Sequence, residues 1–267
     1  MSVKVRNNVK VSGNGPATML FAHGFGCDQS MWRFLSPAFA ERFRIVTFDL
    51  VGSGGSDLDV YDRQKYGTLD GYADDMLDIV AEFCSEPVII VGHSVSAIIG
   101  MLAAIKSPHQ IAAQILVSPS PSYINDGEYV GGFSREDIDD LLDTMDGNYL
   151  GWSSSMAPVI MGAPEQPVLR EELVNSFCQN DPAIARHFAK VTFLSDYRKA
   201  LCQSVVPALI LQCSDDLIAP QEVGRYMQAH MRNSALHMIE NIGHCPHMSA
   251  PTASSAAIEA FVASYLV

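Results

Sequence analysis

Residues 87–105 read PVIIVGHSVSAIIGMLAAI, an almost continuously apolar run broken at its centre by Gly92, His93, Ser94 and Ser96. A membrane-spanning helix would have to bury those residues in lipid, where unpaired polar groups are costly. A buried strand over 88–91 leading into a buried helix over 97–105 accounts for the run better. The junction GHSVS then takes the form of a nucleophile elbow, in which a serine on a strained strand-to-helix turn lifts its Oγ above the carboxyl edge of a sheet. Gly92 fills the first small position of G-x-S-x-G, and Ser96 departs from it by standing where the second glycine is usual.

Outward from this junction, short apolar runs recur at 18–22 (TMLFA), 44–48 (RIVTF), 114–117 (QILV), 208–212 (ALILQ) and 236–239 (LHMI). Their unbroken apolar character predicts buried strands of a parallel sheet covered on both faces. Helical patterns at 69–83, 97–105, 221–230 and 252–265 alternate with them, which predicts a doubly wound, mostly parallel α/β sheet. Between 118 and 205 the strands stop, and four helical stretches follow at 135–146, 149–161, 168–178 and 182–194. Asp181 before Pro182 has the form of an N-cap with proline at the first helical position. We therefore expect a core of residues 1–118 and 205–267, with a helical cap, 119–204, inserted between two strands. The acidic run EDIDDLLDTMD (136–146) keeps apolar positions at helical spacing, as a solvated helix face does.

The chain of 267 residues carries 17 Lys and Arg against 30 Asp and Glu, a net charge of −13. That balance argues against nucleic acid or an anionic membrane as partner and against anionic substrates. Cysteines 27, 84, 178, 202, 213 and 245 are scattered with no CxxC pair, which reads as buried thiols in a reducing compartment. Residues 1–15 contain no apolar segment of the secretory kind, so the expectation is a soluble cytoplasmic protein. GSGGS (52–56) lacks the Gly-Lys-Ser/Thr ending of a phosphate loop and reads as a turn. HCPH (244–247) offers three metal-binding side chains, to which His23 and His93 could be added. Pro246 breaks any helix that would face its histidines together, so no metal is expected.

A serine hydroxyl needs a base, and the base needs an orienting group; on a sheet of this kind they follow in the order Ser, Asp or Glu, His. Cys213-Ser214-Asp215-Asp216 follows the strand at 208–212, and Asn241-Ile242-Gly243-His244 follows the strand at 236–239. Ser94, His244 and one of the two aspartates thus reach one sheet edge. Spacing alone does not separate Asp216 from Asp215, and either would also serve as a helix cap. His23-Gly24-Phe25-Gly26 follows the strand at 18–22, which makes the amides of Phe25 and Val95 candidate oxyanion donors.

These blocks carry a resemblance. HGFGCDQSMW (23–32), FDLVGSGGSD (48–57), GHSVSAIIGM (92–101), QCSDDLIAP (212–220) and GHCPHMSAP (243–251) resemble the α/β-hydrolase superfamily over essentially the whole chain. Within it, the chain resembles the group of the bacterial energy-stress regulator RsbQ and the plant karrikin and strigolactone receptors. Ser96 is shared with the plant receptors, whereas the two C-terminal blocks look more like the bacterial regulator. The resemblance implies Asp216 as the acid and a V-shaped four-helix cap over an apolar pocket lined by Phe25, Tyr123, Phe133, Trp152, Met156 and Phe193. It implies a serine esterase or lactonase without cofactor, acting on a small apolar ester or lactone. The alternative it implies is a slowly hydrolysing ligand sensor with a regulatory protein partner such as a PAS-domain phosphatase.

Overall fold

The computed structural model describes residues 2–265. Among them, seven strands form one sheet: β1 (Lys10–Ser12), β2 (Ala17–Ala22), β3 (Phe43–Phe48), β4 (Val88–His93), β5 (Ile111–Val117), β6 (Ala208–Asp215) and β7 (Ser234–Ile242). Their spatial order is β1-β3-β2-β4-β5-β6-β7, parallel throughout except for β1 against β3. Every residue of β4 is buried. Successive side chains of a strand point to opposite faces, so the sheet is covered on both.

The longer helices are α1 (Leu69–Phe83), α2 (Val95–Lys106), α3 (Arg135–Gly147), α4 (Tyr149–Met161), α5 (Pro167–Gln179), α6 (Pro182–Phe193), α7 (Gln221–His230) and α8 (Pro251–Tyr265). Residues 87–105 are thus β4 and α2, and no helix among the described residues is long and apolar enough to cross a membrane. Helices α3 to α6 all lie between β5 and β6 in the chain. Each starts for a local reason: Ser134 and Asp137 form a reciprocal capping box on α3, Asn148 caps α4, Pro167 opens α5, and Asp181 accepts the amides of Ala183 and Ile184 on α6.

The structure departs from the sequence expectations in three places. The strand at 236–239 is not buried: β7 is the sheet's edge, and most of its residues are half-buried or exposed. The antiparallel strand β1 escaped notice because its three residues are all exposed and give no apolar pattern. The thiols also differ, since Cys27, Cys213 and Cys245 are buried but Cys202 is exposed.

The sheet positions the site. Strand β2 pairs with β3 on one side and β4 on the other, so the chain reverses its direction of winding there. The crevice outside the carboxyl ends of β2 and β4 is the switch point where α/β sheets bind ligands.

Candidate active site

Ser94 directly follows β4 and caps α2 with φ +54° and ψ −121°, a conformation that costs a non-glycine residue about 1–3 kcal/mol. Its N–H donates to the Val117 carbonyl at 2.8 Å. Gly92 makes the turn possible, because a Cβ there would lie 2.4 Å from the Ser96 carbonyl oxygen.

Ser94 Oγ lies 2.8 Å from His244 Nε2, and His244 Nδ1 lies 2.7 Å from Asp216 Oδ2. The carboxylate can only accept, so Nδ1 carries the proton and Nε2 presents its lone pair to the serine hydroxyl. The other Asp216 oxygen accepts the amides of Ile218 at 2.8 Å and Ala219 at 3.1 Å, which fixes the carboxylate in place. All three side chains are buried. Asp215, the rival by spacing, is exposed.

The loop bearing His244 is fastened to α4. The His244 N–H donates to the Ile160 carbonyl at 2.8 Å, and the Ala163 N–H to the Ile242 carbonyl at 2.9 Å. Behind the imidazole, His93 Nε2–H donates to the His244 carbonyl at 2.9 Å, and the His93 ring packs 4.4 Å from that of His247. Burial, reinforced by neighbouring histidines, holds His93 well below the usual imidazole range and His247 down to about 3. Both rings are therefore neutral around pH 7.

The Phe25 and Val95 amides make no hydrogen bond to another group among the described residues. Val95 opens α2, so its N–H is one of the helix's unshared donors at the positive end of the helix dipole. Both residues sit beside the Ser94 turn, where an oxyanion would form.

An apolar cavity of about 30 Å³ lies over Ser94 and His244. Of the six pocket residues expected from sequence, Phe25, Tyr123, Trp152, Met156 and Phe193 line it. Phe133 does not. Its N–H is held by the Tyr123 carbonyl at 3.1 Å, and the residue lines a separate, open groove with Asp137 and Thr144. The Tyr123 hydroxyl stands 3.5 Å from Ser94 Oγ, and burial pushes its phenol up to about 12, so it remains a donor.

Sequence reasoning missed Leu141, Ile160, Leu173, Phe177, Thr192 and Ile218, which also line the cavity. A signal for two of them was available: Leu169, Leu173 and Phe177 recur every four residues and form the buried face of α5. Phe177 stacks on Trp152 at 5.7 Å and meets Phe25 edge-on at 5.8 Å. The GSGGS stretch closes on itself as a turn. Ser56 Oγ accepts the Gly52 and Ser53 amides, and Gly55 N–H donates to Asp49.

A family model described as the alpha/beta hydrolase family matches residues 19–257. The chain is 38% identical over 250 residues to the karrikin insensitive 2 receptor CA of Petunia hybrida, covering 93% of each. It is 36% identical over 245 residues to the strigolactone esterase D14 of Arabidopsis thaliana, covering 91% of each. A solved hydrolase from Oleispira antarctica superimposes with a TM-score of 0.95 at 43% identity, covering 98% of this chain and 96% of that one.

Proposed function

The chain belongs to the alpha/beta hydrolase family, and from that premise we propose that it hydrolyses a small apolar carboxylic ester or lactone through an acyl-enzyme on Ser94. The observation that carries this reading is the buried hydrogen-bonded chain from Ser94 through His244 to Asp216, opening into an apolar cavity.

His244 Nε2 takes the Ser94 proton as Oγ attacks the substrate carbonyl, and Asp216 stabilises the imidazolium that results. The Phe25 and Val95 amides receive the oxyanion; one such donor is worth roughly 3–4 kcal/mol in a comparable site. The intermediate collapses, and the leaving alkoxide takes the proton from His244. A water then gives a proton to His244 and attacks the acyl carbonyl, releasing the acid and restoring Ser94. The cavity admits about two waters, so substrate enters as the covering side chains yield. Residues 119–204 act as the cap, and residues 1–118 with 205–267 as the core, of which positions 1, 266 and 267 lie outside the described residues.

Ser94→Ala is expected to abolish turnover of a p-nitrophenyl ester and acyl labelling seen by mass spectrometry. Wild-type activity in that variant would overturn the reading.

A second reading is supported by the Ile160–His244 hydrogen bond, which ties the position of α4 to the seating of the base. In a ligand sensor, occupancy of the cavity would then be felt both at the cap surface and at the triad. The partner is a regulatory protein such as a PAS-domain phosphatase, met in the cytoplasm. A burst of one product per chain followed by near-silence, with a ligand-dependent thermal shift, favours the sensor; sustained turnover without either removes it.

A further inference from the structure

We propose that Ser96 is a positioning residue that sets the two donors of the oxyanion hole relative to one another, a role resting on the hydrolase reading above. Ser96 occupies the motif position where glycine is usual, and it is fully buried. Its Oγ donates to the His23 carbonyl at 2.5 Å. That carbonyl lies two residues before the Phe25 amide, and Ser96 itself directly follows Val95. One hydroxyl thus crosses from the segment that presents one donor to the segment that presents the other.

The segment it grips is held on its far side as well. His23 Nδ1–H donates to the Gly24 carbonyl at 2.9 Å, and His23 Nε2 accepts the Leu50 N–H at 3.0 Å. Gly24 packs so closely on His93 that a Cβ there would meet the ring nitrogen at 2.4 Å. The β2 loop is therefore fixed against the segment that follows β3 by the His23 ring, against the elbow by Gly24, and against α2 by Ser96. A glycine at 96 has no atom to make that last bond, so this chain fastens its oxyanion loop by a bond that the G-x-S-x-G form lacks. The donors must point at the tetrahedral oxygen and not at the ground-state carbonyl, so loosening them acts on the transition state.

Ser96→Ala removes only the hydroxyl. We expect kcat for p-nitrophenyl acetate to fall about 10- to 100-fold with KM within about twofold. The affinity for phenylboronic acid, which forms a tetrahedral adduct on Ser94, falls by a similar factor. Ser96→Thr, which keeps the hydroxyl, restores both. A folded Ser96→Ala protein with wild-type kcat and boronate affinity overturns the proposal. If Ser96→Ala does not fold, Ser96→Gly, the usual motif residue, is measured in the same way, and wild-type values there overturn it equally. Ser94→Ala, run in parallel, separates the two levels: activity surviving there removes the hydrolase reading itself. Its loss beside an unaffected Ser96→Ala removes only the positioning role.

Discussion

Gly162 and Gly243 stand against each other with no room for a side chain on either. A Cβ on Gly162 would lie 2.4 Å from the Ile242 carbonyl oxygen, and one on Gly243 would lie 2.0 Å from the Met161 carbonyl oxygen. Both glycines also have positive φ, +60° and +112°. Their contact lets the end of α4 reach the loop that seats His244. Gly243→Ala is therefore expected to lower kcat at least about tenfold by displacing the base, and to destabilise by about 1–3 kcal/mol. Steady-state kinetics beside a urea melt checks this; unchanged kcat would show that His244 is seated without α4.

The two neighbouring aspartates are expected to respond very differently. Asp216→Asn removes the acceptor that fixes the His244 tautomer, and kcat should fall on the order of 10⁴-fold. Asp215→Asn, at an exposed position, should stay within about threefold. Equal losses in the two variants would contradict the assignment of the acid.

The buried histidines give a pH dependence of stability with a definite sign. His93 and His247 are held neutral in the folded chain, whereas an unfolded histidine titrates near 6.5. Above that pH neither state binds the protons, and their contribution is complete. As pH falls through it, the unfolded chain takes up protons that the folded chain refuses. Stability then declines by about 1 kcal/mol per histidine per pH unit, until the folded His247 itself titrates at about 3. Urea melts between pH 5 and 7 should show the slope, and His247→Phe should remove the share due to His247.

How far the sequence could be read depends on the residue. The elbow was legible because strand, glycine, serine and helix are adjacent in the chain and constrain one another. The acid was not legible from spacing, for a physical reason: β6 slips register against β7 between Cys213 and Asp215. A bulge changes which of the following residues faces the sheet edge. Phe133 was misplaced because it lies in the irregular stretch before α3, where no period tells inside from outside. The grip of Ile160 on His244 uses a backbone carbonyl, which every residue possesses, so no side-chain pattern announces it.

Phe177 packs on both Phe25 and Trp152 in the cavity wall. Phe177→Ala should destabilise the fold by about 3–5 kcal/mol. The protein that remains folded should shift its preference from acetyl toward longer acyl esters. A p-nitrophenyl ester series of increasing chain length measures this, and an unchanged profile would place the acyl group elsewhere.

Thiol labelling provides a test of packing around the site. Burial pushes the Cys213 thiol up to about 12 and also raises those of Cys27 and Cys245. A native-state thiol titration should modify exposed Cys202 first and leave these three unreacted until the chain unfolds. Rapid native labelling of Cys27 or Cys245, which line the cavity, would mean that the cover over Ser94 opens freely.

Strands β5 and β6 are immediate neighbours, with Gln114 opposite Ala208 and Val117 opposite Leu211. Beyond the sheet, Ser122 bridges Asp196 and the Tyr197 N–H donates to the Pro121 carbonyl at 2.7 Å, so the long segment carrying α3 to α6 leaves the core and returns to it almost at the same place. Closing a loop costs only about 0.6 kcal/mol more for each doubling of its length, so the sheet is nearly indifferent to what is spliced in there. A roof can be exchanged, lengthened or reshaped at such a joint at little cost in chain entropy, provided the replacement still offers the His244 N–H the acceptor that Ile160 now supplies. The same joint is the natural place to graft a foreign roof onto this chain.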